Sequence, residues 1–241
     1  MKTIGIIPSR YASTRFPGKP LTQIAGKSMI RRVYEQALQS GALDHVVVAT
    51  DDQRIMDEVK SFGGDYVLTG SNHQSGTDRC AEVIEQLTGF DIIINIQGDE
   101  PFIDPAQIDL VARCFDDPQV QLATLVKAIT TDEELFNTNI PKVTLNTLEE
   151  ALYFSRQTIP FLRNAAPADW LASHSFYKHI GIYGYTRKVL LEITQLQPSP
   201  LELAENLEQL RWLENGYKIK TKITTLETLA IDTPDDLKKI H

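Results

Sequence analysis

The first two-fifths of the chain alternates short apolar runs with amphipathic segments. Apolar positions recur at helical spacing in residues 26–41, 51–62 and 80–87. Between them lie apolar runs of strand length at residues 3–8, 45–50, 66–69 and 91–97. Continuous apolar strands separated by helices are typical of a parallel sheet that is covered by helices on both faces. We therefore predict an α/β fold with a mostly parallel central sheet.

Ligands of such sheets bind at the carboxyl ends of the strands. Three segments follow predicted strands directly: SRYASTRFPGKP after the first, TDD at the end of the second, and GDEP after DIIINIQ. These segments are therefore the first places to look for ligand-binding residues.

The middle of the chain has a less regular pattern. Residues 120–128, 142–146 and 179–186 resemble strands, and residues 217–226 alternate like a half-exposed strand. We expect a surface loop at 164–173 and a single helix at 201–215, with Leu203, Leu207, Leu210 and Glu214 along one line. No clean linker is visible, so we predict one domain over residues 1–241 with a smaller lobe at about 120–217.

Composition narrows the class of protein. The 241 residues are 42% hydrophobic and 23% charged, which is typical of a globular protein. A net charge of −8 argues against a nucleic-acid partner, because such proteins are normally basic. Cys80 and Cys114 have no paired spacing, so we expect reduced core thiols. No apolar run reaches membrane-spanning length and no signal peptide follows Met1, so we expect a cytoplasmic protein without a membrane partner.

The loop after the first strand has the composition of a phosphate-binding site. Its cationic and hydroxyl residues are Ser9, Arg10, Ser13, Thr14, Arg15 and Lys19. A triphosphate needs several cations together with small hydrogen-bond donors. The loop contains neither a Walker motif nor a G-x-G-x-x-G fingerprint. An ordinary solvated basic loop is the alternative interpretation.

Two aspartates are candidates for a magnesium site. Asp99 follows the strongest predicted strand, and Mg²⁺ prefers one or two carboxylates together with phosphate oxygens. Asp232, in AIDTPDDL, is the second candidate ligand. Helix capping is the alternative for both, although Asp104 before Pro105 suits that role better than Asp99.

The segment HQSGTDR, residues 73–79, is a candidate nucleoside site. Ser75 and Gly76 are small enough to approach a base closely, and Arg79 adds hydrogen-bond donors. The alternative is a plain helix start with Thr77 as its cap.

Together these segments resemble one family. IIPSRYASTRFPGKPL, TDD, HQSGTDR, INIQGDEP, ALYFSR, HIGIYGY, QPSPLE and IDTPDDL occur in the order found in 3-deoxy-manno-octulosonate cytidylyltransferases, from about residue 4 to residue 237. The resemblance implies a Rossmann-like GT-A type fold, dependence on Mg²⁺, a homodimer and a place in lipopolysaccharide synthesis.

The resemblance also implies roles for individual residues. Ser9, Arg10, Ser13 and Lys19 would contact the phosphates of CTP. Ser75, Gly76, Arg79 and Gln97 would surround the nucleoside, and Asp99 and Asp232 would hold Mg²⁺. The sugar would be bound by Arg156, His179, Tyr183 and the acidic helix after QPSPLE, through Glu205, Glu208 and Gln209.

Spacing supports part of the sugar site. Glu205, Glu208 and Gln209 are related by i, i+3 and i+4, so one helix would present all three on the same face. Arg156 could hold a carboxylate in a bidentate fork. The alternatives are a solvated helix face, a surface arginine and, for His179 and Tyr183, structural roles in the core.

The implied reaction is nucleotidyl transfer. The anomeric hydroxyl of 3-deoxy-D-manno-octulosonate (Kdo) would attack the α-phosphorus of CTP, with pyrophosphate as the leaving group. Arg10, Lys19 and the metal held by Asp99 and Asp232 would stabilise the growing charge. Three alternatives stay open: the 8-amino variant of Kdo, another acidic sugar, or a nucleotide-binding module without catalysis.

Overall fold

The computed structural model describes residues 1–12, 16–227, 230–231 and 233–239. The predicted site residues Ser13 and Asp232 lie outside the described residues. The strands are β1 (Thr3–Pro8), β2 (Gln23–Ile24), β3 (Lys27–Ser28), β4 (His45–Thr50), β5 (Tyr66–Leu68), β6 (Ile92–Asn95), β7 (Leu122–Ala128), β8 (Lys142–Leu145), β9 (Ala151–Ser155), β10 (Tyr177–Thr186) and β11 (Lys220–Thr224). The helices are α1 (Met29–Ala37), α2 (Gln53–Ser61), α3 (Gly76–Gln86), α4 (Pro105–Ala112), α5 (Asp132–Phe136), α6 (Trp170–Ser173), α7 (Arg187–Ile193), α8 (Pro200–Glu205) and α9 (Gln209–Glu214).

One twisted sheet organises the molecule, in the strand order β11-β7-β10-β6-β1-β4-β5. Strand β1 runs parallel to β4 and β6, and β4 runs parallel to β5. The predicted parallel arrangement of the N-terminal strands is therefore confirmed. Strand β10 runs antiparallel to both β6 and β7, while β11 is parallel to β7.

Helices cover both faces of the sheet because the central strands are apolar on both sides. Ile4 and Ile6 of β1 pack in a core cluster with Cys80 and Ile84 of α3. On the opposite face, Ile7 packs in a cluster with residues of α1, α2 and α4. Each of these isoleucines has no exposed surface, and full burial of such a side chain stabilises the fold by about 1.5–3 kcal/mol.

Helix starts follow the capping residues. The side chain of Ser28 accepts a hydrogen bond from the Arg31 amide at the start of α1. Asp104 accepts one from the Ala106 amide at the start of α4, as its position before Pro105 predicts. Both cysteines are buried and unpaired, which confirms the expectation of core thiols.

Two predicted elements are wrong. Residues 201–215 do not form one helix, because Asn206 adopts a left-handed conformation (φ 53°, ψ 50°) that separates α8 from α9. Leu203 is 70% exposed whereas Leu207 is buried, so the leucines do not form one stripe. The expected surface loop at 164–173 ends in helix α6, whose Trp170 is buried against Phe176.

The range predicted as a lobe contains strands of the main sheet. Strands β7 and β10 lie between β11 and β6, whereas β8 and β9 form an extension attached to β10. The lobe therefore shares its sheet with the rest of the chain. In the described part of the chain, no helix is both long and apolar enough to cross a bilayer.

Candidate active site

A cavity of about 260 Å³ lies at the carboxyl ends of the parallel strands. Three of the segments singled out in the sequence meet there. Its walls come from the loop after β1, from residues 73–76 and Arg79 around the start of α3, and from residues 97–99 after β6. Ser9, Arg10, Lys19, Ser75, Gly76, Arg79, Gln97 and Asp99 all line it. The structure thus brings together every described residue of the predicted nucleotide site.

A cation and a carboxylate meet at the β6 side of this cavity. The Nζ of Lys19 lies 2.8 Å from Oδ2 of Asp99 and also donates to the Ile231 carbonyl at 3.0 Å. The Ile231 amide donates to the Asp99 carbonyl at 2.9 Å. The two side chains are 16% and 28% exposed, so this ion pair is only partly screened by water. The pairing places both charges at the point where β1 and β6 end.

Close backbone approach explains the glycine of GDEP. A Cβ at Gly98 would lie 2.9 Å from the Pro8 carbonyl oxygen, which is closer than real Cβ atoms come to other heavy atoms. Glycine at this position therefore allows the ends of β1 and β6 to form one continuous wall of the cavity.

The start of α3 forms the opposite wall. Ser75 caps this helix and forms a capping box with Asp78, so the alternative with Thr77 as cap is wrong. The Thr77 hydroxyl instead donates to Oε2 of Glu208 at 3.0 Å. Because the first amides of a helix carry partial positive charge, this wall favours an anionic ligand.

Two further polar side chains are fixed in the cavity wall. Arg79 is buried and contacts Thr69 and Asp51, whose carboxylate lies 3.2 Å from its Nη1. The Ser9 hydroxyl is buried and has no hydrogen-bond partner among the described residues. A buried orphan hydroxyl costs about 1–3 kcal/mol, so Ser9 is suited to receive a ligand atom.

Glu100, next to Asp99, has a different environment. It is buried, and burial together with the charge of Asp99 raises its pKa to about 8. Glu100 is therefore largely neutral at pH 7, whereas the Asp99 carboxylate pairs with the Lys19 ammonium. The sequence singled out Asp99 as the candidate ligand, but GDEP gives no indication that Glu100 is buried.

The residues of the cavity fit a magnesium ion. Among the residues that the structure describes, no group of three or more histidine, cysteine, aspartate or glutamate side chains forms a metal site. Mg²⁺ does not need such a cage, since one or two carboxylates plus phosphate oxygens satisfy it. Asp99 supplies a carboxylate inside the cavity, and the orphan Ser9 hydroxyl is a further oxygen there.

The predicted sugar residues form two groups. In the first, Arg156 donates to the carbonyls of Thr138, Glu205 and Asn206 at 3.3, 2.6 and 3.1 Å. The Glu205 carboxylate accepts from the Ser155 hydroxyl at 2.7 Å and the Arg156 amide at 2.9 Å. These residues fasten the end of β9 to the break between α8 and α9.

The second group lies beside the nucleotide cavity. The pKa of Glu208 is raised by burial, in spite of hydrogen bonds from Ser75 and Thr77. The Tyr183 hydroxyl is buried without a partner in the described chain, and its ring lies 5.2 Å from that of His179. Burial lowers the pKa of His179 to about 4, and its Nε2 lies 3.0 Å from the Thr124 hydroxyl. Gln209 is buried at the start of α9.

The predicted shared face of Glu205, Glu208 and Gln209 is therefore wrong. The left-handed Asn206 turns the chain between Glu205 and Glu208, so their carboxylates point to different partners. Glu208 accepts from Thr77 of α3, whereas Glu205 holds β9.

Sequence reasoning also missed Asn95. This residue lies opposite Tyr183 in the pairing of β6 with β10, and its buried Oδ1 has no partner in the part of the chain that is described. The available signal was an amide side chain between two isoleucines of the apolar run DIIINIQ. Asn95 and Tyr183 thus leave two unsatisfied polar groups side by side under the site.

Comparison with known proteins identifies the family. A family model described as cytidylyltransferase matches residues 4–223. The chain belongs to the cytidylyltransferase family. The 3-deoxy-manno-octulosonate cytidylyltransferase of Bacteroides thetaiotaomicron is 60% identical over 242 residues, which cover 99% of this chain and 96% of the relative. The enzyme of the same name from Parabacteroides distasonis is 59% identical over 244 residues. These relatives confirm the resemblance that the motifs indicate.

Solved structures agree with this assignment. A structure of CMP:2-keto-3-deoxy-manno-octonic acid synthetase in complex with CTP is 44% identical, has a TM-score of 0.92 and covers 100% of this chain and 97% of its own. A glucose-1-phosphate thymidylyltransferase from Bacillus anthracis, described as putative, has 18% identity and a TM-score of 0.63 over 99% of this chain and 93% of its own. This second likeness shows the fold alone, and it agrees with the predicted α/β architecture.

Proposed function

We propose that the protein transfers CMP from CTP to Kdo and releases pyrophosphate. The observation that carries this proposal is the cavity in which Lys19 and Asp99 meet at the carboxyl ends of β1 and β6. The likeness to a synthetase in complex with CTP, at 44% identity over the whole chain, supports CTP as the nucleotide. The names of the curated relatives support Kdo as the acceptor.

The geometry suggests how the chain's own residues act. Arg10 and Lys19 would bind the phosphates and stabilise the negative charge that grows on pyrophosphate as it leaves. No side-chain nucleophile is required, because the sugar hydroxyl attacks the α-phosphorus directly. Positioning and charge neutralisation then supply the rate enhancement.

Magnesium is the cofactor that we propose. Asp99 would hold it in the cavity, together with Asp232 from beyond the described residues. When bound, the ion would neutralise phosphate charge and lower the pKa of the attacking hydroxyl. The Lys19 ammonium, 2.8 Å from Asp99, would then exchange this carboxylate for a phosphate oxygen.

We assign the acidic sugar to the space beside Glu208, Tyr183 and His179. The unsatisfied hydroxyl of Tyr183 and the neutral ring of His179 suit sugar hydroxyls. Three of the five guanidinium N–H groups of Arg156 are held by carbonyls, so two remain for the sugar carboxylate.

We also propose a cytoplasmic homodimer that supplies an activated sugar for lipopolysaccharide synthesis. Leu152 and Phe161 are 59% and 74% exposed, and Leu152 lines a second cavity of about 790 Å³ near α6. Exposed apolar side chains of this size favour a protein contact. Light scattering should give a mass near 54 kDa, twice the 27.1 kDa of one chain. A monomer at micromolar concentration would contradict this part of the proposal.

Pyrophosphate release tests the reaction directly. The protein is incubated with Mg²⁺, with CTP or UTP, and with Kdo, 8-amino-Kdo or sialic acid. The proposal predicts release only when CTP and Kdo are both present. If the 8-amino sugar or sialic acid gives faster release, that sugar and not Kdo is the substrate. CTP binding without pyrophosphate release with any of the sugars would indicate a non-catalytic module.

A further inference from the structure

A histidine in the cavity wall is held by a carboxylate that the proposed reaction does not use. His73 lies in the loop between β5 and α3, lines the cavity, and has a side chain that is 21% exposed. Its Nε2 is in hydrogen-bond contact with Oε2 of Glu82, nine residues further along the chain. Within the described ranges, no hydrogen bond involves the other ring nitrogen, Nδ1.

Glu82 is itself fixed in place. Its Oε2 accepts a hydrogen bond from the Gly70 amide at 2.8 Å, and its Oε1 accepts one from Nε2 of Gln86 at 3.3 Å. Burial alone would raise the pKa of Glu82, but the hydrogen bonds from His73 and Gly70 outweigh it and lower the pKa. The carboxylate therefore stays ionised and ties the loop to the outer side of α3.

This contact determines which nitrogen carries the proton when the His73 ring is neutral. An ionised carboxylate accepts hydrogen bonds and cannot donate them, so Nε2 must be the protonated nitrogen. In the neutral ring, Nδ1 is then a hydrogen-bond acceptor. A ligand group that meets Nδ1 would be a donor.

The strand order indicates which part of a nucleotide reaches this point. Arg10 and Lys19 follow β1, and Asp99 follows β6, so the phosphate-binding charges lie at these two neighbouring strands. His73 follows β5, which is separated from β1 by β4. A nucleotide with its triphosphate at β1 and β6 would extend its nucleoside toward the start of α3 and His73.

We propose that His73 contacts the nucleoside and accepts, at Nδ1, a hydrogen bond from the cytosine amino group or from a ribose hydroxyl. Glu82 is the positioning residue that sets the tautomer and the orientation of the ring. This inference rests on the proposed function, because it requires a nucleotide in the cavity.

Two substitutions of His73 distinguish the roles of its two ring nitrogens. His73→Asn keeps a polar atom near the position of Nδ1, whereas His73→Gln keeps one near the position of Nε2. Because a lost hydrogen bond costs about 0.5–1.5 kcal/mol, we expect His73→Gln to raise the KM for CTP by about two- to twelvefold, and His73→Asn to raise it less. Glu82→Gln should raise it at least about twofold, since the amide no longer fixes the tautomer. The KM for Kdo should stay unchanged in all three.

Glu85→Gln is the matched control, since Glu85 is an exposed glutamate on the same helix. Steady-state kinetics are combined with calorimetric titration of CTP, which needs no turnover, and with the Tm of each variant. Wild-type CTP affinity in His73→Gln, or a larger loss in His73→Asn than in His73→Gln, would overturn the inference. If the wild type and Glu85→Gln bind CTP but release no pyrophosphate with Kdo, the proposed reaction fails, and the titrations still decide the role of His73.

Nucleotide analogues identify the donor. The effect of His73→Gln on affinity is measured with CTP, UTP, 2′-deoxy-CTP and 3′-deoxy-CTP. If the cytosine amino group is the donor, the effect disappears with UTP only. If a ribose hydroxyl is the donor, it disappears with the matching deoxynucleotide only. An equal effect with all four nucleotides would contradict a contact with the nucleoside.

Discussion

The nucleotide end and the sugar end of the site differ in how far their polar groups are already hydrogen-bonded within the protein. At the nucleotide end, the Ser9 hydroxyl and Nδ1 of His73 have no hydrogen-bond partner among the described residues, and both residues line the cavity. At the sugar end, Arg156 and Glu205 are bonded to each other's backbone across the junction of β9 and α8. The first region is prepared for a ligand, whereas much of the second holds the protein together.

The difference has an energetic consequence. A ligand at the nucleotide end can satisfy the Ser9 hydroxyl, which is already desolvated, and this favours tight binding. A ligand that recruits Arg156 fully must replace internal hydrogen bonds. Mutations at the nucleotide end should therefore change kinetics alone, while mutations at the sugar end should change kinetics and stability together.

Replacement of Asp99 should have the largest effect. Asp99→Asn removes the charge that we propose holds Mg²⁺, so kcat/KM should fall by about a hundredfold or more. The Tm should change little. Pyrophosphate release measured over a range of Mg²⁺ concentrations checks this, with Asp57→Asn on α2 as control. Full transfer by Asp99→Asn at ordinary Mg²⁺ would remove the metal role.

Lys19→Ala should have the second-largest effect on the kinetics. It removes a charged donor from the phosphate site, which costs about 1.5–3 kcal/mol and so raises the KM for CTP by about 10- to 100-fold. The KM for Kdo should stay constant. The exposed Lys188→Ala is the control. Unchanged CTP kinetics would show that the loop after β1 is not the phosphate site.

Arg156→Ala should differ from Asp99→Asn and Lys19→Ala, because it should change stability as well as kinetics. Three carbonyls lose a charged donor, and because they are partly exposed we expect a loss of about 1–2 kcal/mol, or a Tm lower by about 4 °C, together with a higher KM for Kdo. Thermal denaturation and kinetics are compared with those of Arg163→Ala, an exposed arginine nearby. A higher KM with an unchanged Tm would contradict the structural role and would remove the contrast between the two ends.

The smallest effect should come from His179. In the unfolded chain a histidine binds a proton below about pH 6.5, whereas the folded ring does so only near pH 4. The unfolded state therefore takes up more protons as the pH falls from about 6.5 to 4, and stability is lost across that window. Allowing for partial exposure, wild type should lose about 1 kcal/mol more than His179→Gln between pH 8 and pH 5. Equal losses in chemical denaturation would contradict the lowered pKa of the His179 ring.

The nucleotide end was more predictable from the sequence than the sugar end. Strands β1, β4 and β6 are buried on both faces, which produces the apolar runs that identify them. Their loops then converge because parallel strands end at the same edge. The family resemblance supplied the roles of Lys19, Asp99 and Arg79, and the structure brings these residues to one cavity.

The sugar end depends on backbone geometry that the sequence does not reveal. Apolar and polar spacing continues smoothly through residues 201–215, and only the left-handed conformation of Asn206 breaks the helix. The contact of His73 with Glu82 was also hidden, because it requires the loop to fold back onto its own helix. Asp232 lies outside the described residues, so its role as a second magnesium ligand stays a prediction.

A crystal structure of the protein with CTP tests the central claim most directly. We predict triphosphate density against Arg10 and Lys19 at the ends of β1 and β6, with the nucleoside beside the start of α3. Density for CTP in another cavity, such as the one between β8 and α6, with the space around Lys19 and Asp99 filled only by water, would contradict the account.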